Sequence, residues 1–199
     1  MKLVLASGSP RRAEILRNAG ISFDVLAADV DETLRPGEMP RDYVRRLAEE
    51  KARAAAQKLV DAAPGAGAIV IGADTTVVVA DAILGKPESP AEARDMLERL
   101  SGRTHEVYTG IALLQLPSGP MRTFEEITRV EFAPMDAAEI AQYIASGEPF
   151  GKAGGYAIQG LGGKFVKRIE GCYFNVMGLP LARLYAELCT FGWYTTPKS

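Results

Sequence analysis

The sequence predicts an α/β protein whose mixed, elongated β-sheet is flanked by helices. Residues 68–80 are almost continuously apolar and β-branched, a pattern typical of a central strand covered on both faces. Residues 107–116 and 122–132 form two strand patterns joined by Pro117–Pro120, which predicts a hairpin. Because such hairpins alternate with helical crossovers, the sheet is expected to be mixed rather than wholly parallel.

The N-terminal residues predict a strand, a turn and a helix that together suit an anion. Residues 3–6 form a short apolar strand, Ser9 is a candidate helix cap, and Pro10 suits the first helical position. A helix N-terminus attracts phosphate oxygens, and Arg11 and Arg12 with the serine hydroxyls would strengthen that attraction. The alternative is that both arginines are solvated surface charges.

The remaining elements follow in order along the chain. A short strand over 22–25 precedes a loop that runs to Pro40, and the helical periodicity of residues 41–62 predicts a long amphipathic helix. After the central strand we expect a hairpin at Ala80-Asp81, a return strand over 82–84, a helix from Ser89-Pro90 to Leu100, the strand pair, a helix over 136–146, a glycine-rich segment over 151–163, a strand over 164–169 and a helix over 175–188.

Composition limits the classes of function. The chain has 199 residues, 47% of them hydrophobic, enough for one large domain over residues 1–199 or two lobes around a cleft; we expect the single domain. A net charge of −2 argues against nucleic acid or membrane partners. The first apolar run ends at Ala6, too early for a signal peptide, so we expect a cytoplasmic protein. Cys172 and Cys189 should then be reduced thiols. The one histidine, His105, is expected to be structural.

Asp74 interrupts the apolar strand at its middle. An unpaired carboxylate there would cost several kcal/mol or take up a proton, so it should meet a metal ion, a cation or a water-filled cleft. We interpret Asp74 as a general base or a metal ligand. The alternative is a turn carboxylate that splits the run into two strands.

Other polar residues fit the same chemistry. Lys51 falls within the apolar stripe of the long helix, so its side chain either points inward or extends to solvent. Lys86 is presented between a glycine and a proline, and Gln159 lies in the glycine-rich segment, whose backbone N–H groups suit a ligand. Asp31 and Glu32, with Asp74, offer oxygen ligands for Mg²⁺ or Mn²⁺. No P-loop pattern is present.

Six collinear segments between residue 3 and about residue 185 resemble the Maf nucleoside triphosphate pyrophosphatases. They are Ala6–Arg12 (ASGSPRR), Asp31–Thr33 (DET), Glu50–Ala52 (EKA), Gly72–Thr75 (GADT), Gly85–Pro87 (GKP) and Gly154–Gly160 (GGYAIQG). The resemblance implies two lobes around a central cleft, a fold related to the inosine triphosphate pyrophosphatases, and a homodimer. It also implies metal-dependent cleavage of a nucleoside triphosphate to the monophosphate and pyrophosphate.

The resemblance further implies roles for particular residues. Asp74 corresponds to the proton acceptor, and Glu32, Lys51 and Lys86 correspond to residues that line the pocket. Our mechanistic interpretation is that Lys51 and Lys86 act in catalysis with Asp74 and that Glu32 and Asp74 hold the metal. The residues implied in substrate binding are Ser7, Arg11, Arg12, Thr75 and Gln159. GADT and YAIQG are similar to the dTTP and UTP branch of the family. The alternatives are a pyrophosphatase for 7-methyl-GTP or a modified purine triphosphate, and a non-catalytic regulator of septum formation.

Overall fold

The computed structural model describes residues 1–194, which form a seven-stranded mixed sheet and six α-helices. The strands are β1 (Lys2–Ala6), β2 (Asp24–Val25), β3 (Ala68–Val79), β4 (Ala82–Leu84), β5 (Thr104–Leu116), β6 (Met121–Phe132) and β7 (Val166–Glu170). The helices are α1 (Pro10–Asn18), α2 (Pro40–Ala62), α3 (Pro90–Leu100), α4 (Ala137–Ala145), α5 (Tyr173–Met177) and α6 (Leu181–Thr190). No helix within these residues has the length and apolarity needed to cross a membrane.

The sheet has the strand order β2-β1-β3-β5-β6-β7, with β4 paired to β3. Strand β1 runs parallel to β2 and β3, whereas β4 is antiparallel to β3 and β7 is antiparallel to β6. This mixture confirms the predicted fold class. The four-residue link from β5 to β6 confirms the predicted hairpin, because neighbouring strands joined so tightly must be antiparallel.

The chain divides into two compact units, each with its own core. Within the described residues, the first comprises residues 1–74, 109–125 and 178–194; the second comprises residues 75–108 and 126–177. The core of the first is rich in alanine and valine, with Ala48, Ala52 and Val70 fully buried. The core of the second is more aromatic and includes Phe132, Tyr143 and Phe165.

Most predicted helix and strand boundaries lie within two residues of the observed ones. Ser89 caps α3 by accepting a hydrogen bond from Glu92 N–H, and Asp136 caps α4 in a reciprocal arrangement with Glu139. The β3–β4 turn places Ala80 and Asp81 at φ values of 47° and 63°, as two-residue hairpin turns require. The Ser9 side chain, in contrast, makes no capping hydrogen bond.

One sequence prediction near the C-terminus is wrong, and the start of one strand is shifted by two residues. The single helix expected over 175–188 is two helices, because Gly178 has a φ of 110° and Pro180 lacks the N–H that a continuous helix needs. The strand expected to begin at residue 164 begins at Val166, since residues 161–165 close instead into a 3₁₀ helix. The break between α5 and α6 bears directly on the candidate site.

Candidate active site

Parallel pairing of β1 and β3 places the first turn of α1 beside Asp74. Ala6 lies opposite Gly72 in the register, so Ser7 leaves β1 at the level where β3 continues to Asp74. Parallel strands direct their carboxyl ends to one edge of the sheet, where ligand sites of open α/β sheets form. Strand β3 runs unbroken through Asp74, which excludes the alternative of a turn carboxylate.

The long helix α2 approaches β3 at a glycine. A Cβ on Gly72 would overlap the backbone carbonyl oxygen of Ala48 and lie 2.8 Å from the backbone nitrogen of Ala52. The absence of a side chain therefore lets the helix backbone touch the strand two residues before Asp74. This close approach brings Lys51 of α2 within reach of the strand carboxylate.

Lys51 points inward and joins two carboxylates. Lys51 is only 7% exposed, and its Nζ donates to Asp74 Oδ1 and to Glu32 Oε1, both at 2.6 Å. Asp74 is itself 6% exposed, whereas the Glu32 side chain is 41% exposed. The ammonium therefore links a buried carboxylate to one at the surface of the first unit.

The environment of Asp74 favours a proton acceptor. Burial raises the pKa of Asp74 above its ordinary value, while the positive charges of Lys51 and Arg12 oppose that rise. A carboxylate with a raised pKa accepts a proton more readily than a solvated one. These opposing effects keep the carboxylate basic while two cations stabilise its charge.

Arg12 binds three separate segments of the first unit. Its Nη1 donates to Ser7 Oγ at 2.9 Å and to the Ala73 carbonyl at 3.0 Å, and its Nε donates to the Gly178 carbonyl at 2.8 Å. Burial lowers the pKa of Arg12, and the charge of Asp74 opposes that effect. The guanidinium is therefore part of the frame around Asp74, with Arg11 adjacent to it on α1.

Tyr43 and Arg46 of α2 hold the loop that carries Glu32. The Tyr43 hydroxyl donates to the Glu32 carbonyl at 2.8 Å, and burial together with the charges of Asp74 and Glu32 raises the pKa of Tyr43 to about 12. Arg46 donates to the Thr33 carbonyl at 3.1 Å and forms two hydrogen bonds with Glu38, at 2.6 and 2.8 Å. The position of Glu32 is thus fixed from both the helix and its own loop.

Glu32 and Asp74 place carboxylate oxygens close to each other, on either side of the Lys51 ammonium. Both carboxylates already contact one cationic atom, Lys51 Nζ, and carboxylate oxygen is the donor that Mg²⁺ and Mn²⁺ prefer. Within residues 1–194, no group of three His, Cys, Asp or Glu side chains is placed to share an ion. Two carboxylates suit Mg²⁺, which commonly takes its remaining ligands from water and substrate phosphates.

The other predicted site residues, Thr75, Lys86 and Gln159, belong to the second unit. Thr75 is half-buried on β3, and Lys86 and Gln159 are exposed. The loop carrying Lys86 is joined to the glycine-rich segment, since Gly154 N–H donates to the Gly85 carbonyl at 2.9 Å. Gly154 has a φ of 68°, and a Cβ there would lie 2.9 Å from Val77, so this approach also requires glycine.

Several residues of these surroundings were not predicted from the sequence. The Gly178 carbonyl reaches Arg12 because the C-terminal helical segment is broken, which Pro180 could have signalled. His105, which we expected to be structural, is buried on β5; its Nε2 lies 2.8 Å from the Tyr156 hydroxyl, and its ring meets Phe132 edge-on. Glu148 receives two N–H groups of the glycine-rich segment that we expected to face a ligand.

Comparison with known proteins gives near full-length matches. A family model described as Maf-like protein matches residues 2–191. The dTTP/UTP pyrophosphatase of Syntrophus aciditrophicus is 49% identical over 194 residues, covering 98% of this chain and 92% of that protein. The dTTP/UTP pyrophosphatase of Pelotomaculum thermopropionicum is 48% identical over 192 residues, covering 96% and 97% respectively.

Among solved structures, a dITP/XTP pyrophosphatase from Mycobacterium abscessus matches with a TM-score of 0.41 and 17% identity, over 96% of both chains. The Ham1 protein of Staphylococcus aureus matches with a TM-score of 0.40 and 17% identity, over 67% of this chain and 72% of that one.

Proposed function

The chain belongs to the Maf family, and on that premise we propose that it is a pyrophosphatase that hydrolyses dTTP and UTP to the monophosphate and pyrophosphate. The observation that carries this proposal is the contact of Lys51 Nζ with Asp74 and Glu32 in the first unit. A buried, basic carboxylate stabilised by cations is what activation of a water molecule requires. A protein that only bound nucleotides would have no need for a carboxylate inside an apolar strand.

Asp74 accepts the proton of the attacking water in this proposal. The water oxygen forms a bond to the α-phosphorus, and the bond from that phosphorus to the oxygen bridging to the β-phosphate breaks. Pyrophosphate leaves with the bridging oxygen, and the proton passes to the Asp74 carboxylate. Lys51 holds the carboxylate by a direct hydrogen bond and Arg12 holds the adjacent backbone at Ala73, which keeps the base oriented towards the α-phosphate side of the site.

Positive charge offsets the charge that develops on the pyrophosphate. We assign this role to Arg11, Arg12, Lys51 and Lys86. Preorganised cations near the leaving oxygens lower the barrier, because the charge they stabilise grows in the transition state. Ser7 belongs to the same binding surface through its hydrogen bond to Arg12.

Glu32 and Asp74 are the residues we propose to hold a divalent cation, Mg²⁺ or Mn²⁺. When bound, such an ion supplies positive charge to the phosphate oxygens. The two carboxylates suit this role because each lies 2.6 Å from the same atom, Lys51 Nζ, so their oxygens are close together, and the Glu32 side chain is partly exposed. Tyr43 and Arg46 keep Glu32 at that position by holding its loop.

Base preference is assigned to Thr75, Gln159 and Arg11, following the family resemblance. The Gln159 amide both donates and accepts, which matches the N3–H and O4 edge shared by uracil and thymine. Each such hydrogen bond is worth roughly 1–3 kcal/mol of discrimination, so selectivity of at least about tenfold is expected. The relatives named dTTP/UTP pyrophosphatase agree with this preference.

The test is pyrophosphate release measured across a panel of common and modified triphosphates with Mn²⁺ or Mg²⁺. We expect kcat/KM for dTTP and UTP to exceed that for purine triphosphates and 7-methyl-GTP by at least about tenfold. A purine preference would contradict the substrate assignment. Absence of metal-dependent pyrophosphate release from every triphosphate would contradict the enzymatic function and favour a regulatory one.

Asp74→Asn tests the base directly. We expect a folded protein whose kcat is lower by about a hundredfold or more, the usual effect of losing a general base. Asp81→Asn, at an exposed turn position of the β3–β4 hairpin, is the matched control. Circular dichroism checks the fold, and a folded Asp74→Asn variant within a few fold of wild type would refute the assignment.

We also infer a homodimer, as the family resemblance implies. Tyr173 and Phe174 of α5 support this inference, because both are exposed large aromatic residues and their rings meet edge to face at 5.7 Å. Light scattering after size-exclusion chromatography should give twice the chain mass of 21.4 kDa. A mass of one chain at micromolar concentration would contradict the dimer.

A further inference from the structure

Gln159 is an exposed side chain carried by a segment that is anchored on both sides of it. The segment from residue 154 to 157 is buried, residues 159–161 are exposed, and Gly162 is buried again. The surrounding stretch 151–163 contains six glycines, namely Gly151, Gly154, Gly155, Gly160, Gly162 and Gly163. Such a stretch has high conformational entropy unless other groups hold it.

Glu148 and Tyr143 hold the segment. Glu148 Oε1 accepts hydrogen bonds from the Tyr143 hydroxyl at 2.8 Å and from Gly162 N–H at 2.9 Å, and Glu148 Oε2 accepts from Leu161 N–H at 2.9 Å. The Tyr143 hydroxyl oxygen in turn accepts from Ala157 N–H at 3.3 Å. One carboxylate and one phenol therefore fix the backbone two residues before and two residues after Gln159.

This anchoring requires glycine at positions 160 and 162. A Cβ on Gly160 would overlap the Glu148 carboxylate, and a Cβ on Gly162 would lie 2.6 Å from the Tyr143 hydroxyl oxygen. Partial burial acts to raise the pKa of Glu148, but hydrogen bonds from Gly162, Leu161 and Tyr143 outweigh it and lower that pKa. The anion that this glycine-rich backbone binds is a carboxylate of the protein itself.

Tyr156 forms a further anchor on the N-terminal side of Gln159. Its hydroxyl lies 2.8 Å from His105 Nε2, and its ring packs edge to face against Phe132 at 4.8 Å. Ala157 and Tyr156 are thus held by different partners, a tyrosine of α4 and a histidine of β5. The backbone before Gln159 is consequently fixed even without the carboxylate, and Glu148 supplies the hold on the other side.

We propose that Glu148, with Tyr143, is a positioning residue for base recognition and acts through Gln159. The proposal rests on the proposed function, in which Gln159 reads the pyrimidine. A long side chain on a segment already ordered loses less entropy on binding, so the carboxylate increases affinity for the preferred base without touching the nucleotide. Its effect should appear in KM and in base selectivity, and kcat should change little.

The test is a double-mutant cycle between Glu148→Gln and Gln159→Ala, read out as KM and kcat for UTP and for GTP. We expect each single variant to raise KM for UTP by about tenfold, with kcat within about threefold of wild type. The double variant should be no worse than Gln159→Ala alone, because Glu148 has nothing left to position. Additive losses, or an equal loss of kcat for both nucleotides, would overturn the proposal.

The control and a second variant keep the test decisive. Glu98→Gln removes the same charge from an exposed site on α3, where the nearest paired cation, Arg94, is 3.9 Å away, and should leave KM unchanged. If Glu148→Gln fails to fold, Tyr143→Phe removes the hydroxyl alone and runs through the same cycle. Amide hydrogen exchange at Leu161 and Gly162 should accelerate in Glu148→Gln, and unchanged protection there would also overturn the proposal.

The outcomes separate this proposal from the proposed function. If Gln159→Ala lowers selectivity and Glu148→Gln does not, Gln159 reads the base and the positioning role is wrong. If Gln159→Ala leaves selectivity intact, the base-reading role of Gln159 is wrong, and the positioning proposal is overturned with it.

Discussion

At the scale of single residues, Lys51 and Asp74 form a buried ion pair. Removing one partner should change stability more than the net stabilisation that the intact pair provides. The Coulombic gain of such a pair is largely offset by desolvation, so its net stabilisation is small. Removing one partner, in contrast, leaves a charge buried without compensation. Loss of Lys51 should leave Glu32 less affected, because its partly exposed carboxylate remains in contact with water.

Lys51→Met should therefore destabilise the protein by about 3–5 kcal/mol at neutral pH and sharply reduce turnover. Without the ammonium, the pKa of Asp74 rises further, since Lys51 lowers it in the wild type. A folded-state pKa above the unfolded value means that stability falls as pH rises, so the destabilisation should shrink as pH is lowered towards 4. Denaturant unfolding at several pH values measures it.

Lys58→Met is the control for that variant. Lys58 lies on the same helix, and its exposed side chain donates to the Ala27 backbone carbonyl at 3.3 Å. Its substitution should change stability by less than about 0.5 kcal/mol and leave turnover intact. Equal effects of the two substitutions on stability and turnover would show that the ion pair of Lys51 with Asp74 is not the cause.

Arg12→Lys tests whether a charge alone suffices at position 12. One planar guanidinium serves Ser7, Ala73 and Gly178, and an ammonium cannot match that geometry. We expect kcat/KM to fall at least about tenfold and stability to fall by about 1–3 kcal/mol, from backbone carbonyls left without donors. Arg17→Lys, on the exposed face of α1, is the control and should keep wild-type kcat/KM and stability. Wild-type kcat/KM and stability in Arg12→Lys would contradict the prediction.

At the scale of elements, the sequence predicts α2 and β3 separately, but their contact is visible only in the structure. Apolar periodicity identifies each element because burial imposes it. Gly72, inside a strand rich in β-branched residues, is the one sequence signal that another backbone comes close. Which backbone it is depends on the tertiary fold. The apolar patterns predicted that Lys51 points inward or to solvent and that Asp74 meets a metal ion, a cation or a cleft, but they did not pair the two residues.

Gly72→Ala should push α2 away from β3. The new methyl would overlap the Ala48 carbonyl, and backbone on both sides leaves no flexible group to yield. We expect a loss of about 1–3 kcal/mol or more from overpacking, and a fall in kcat because Lys51 moves with the helix. Gly67→Ala, at a position with nothing within 4 Å, is the control, and comparable unfolding midpoints for the two variants would contradict the prediction.

The C-terminal helices show how periodicity can mislead. Residues 175–188 carry enough apolar residues for a single helix, and the pattern concealed the stop formed by Gly178 and Pro180. Hydrophobic spacing reports which face is buried and is insensitive to a local break in the backbone. The glycine-rich segment was misinterpreted for a different reason. We expected its backbone N–H groups to bind a ligand, and two of them instead donate to Glu148 in the same unit.

At the scale of the whole molecule, stability should depend on pH through His105. The residue is 1% exposed, its Nδ1 has no hydrogen-bond partner among the described residues, and burial lowers its pKa to about 4. Since the unfolded histidine titrates near 6.5, the unfolded chain binds the extra proton between pH 6.5 and 4. Stability is therefore lost as pH falls through that range.

His105→Gln removes the titration and retains a hydrogen-bonding group for Tyr156. Between pH 7 and pH 5, the wild type should lose about 2 kcal/mol more stability than this variant. Urea unfolding of both proteins at both pH values measures the difference, and the contribution of Asp74 cancels because both proteins contain it. Parallel loss of stability in the two proteins would show that His105 does not titrate on unfolding.

The hydrogen bond from Arg12 to Gly178 also sets an order in time. The two residues are 166 positions apart, and a ribosome adds about 5–20 residues per second, so Arg12 is made roughly ten to thirty seconds before its acceptor. A nascent chain that has passed residue 74 contains Ser7, Arg12, Lys51 and Asp74, yet lacks the carbonyl that joins them to the C-terminal segment. We therefore expect ribosome-bound chains that end before Gly178 to be inactive, so that hydrolysis begins only late in synthesis.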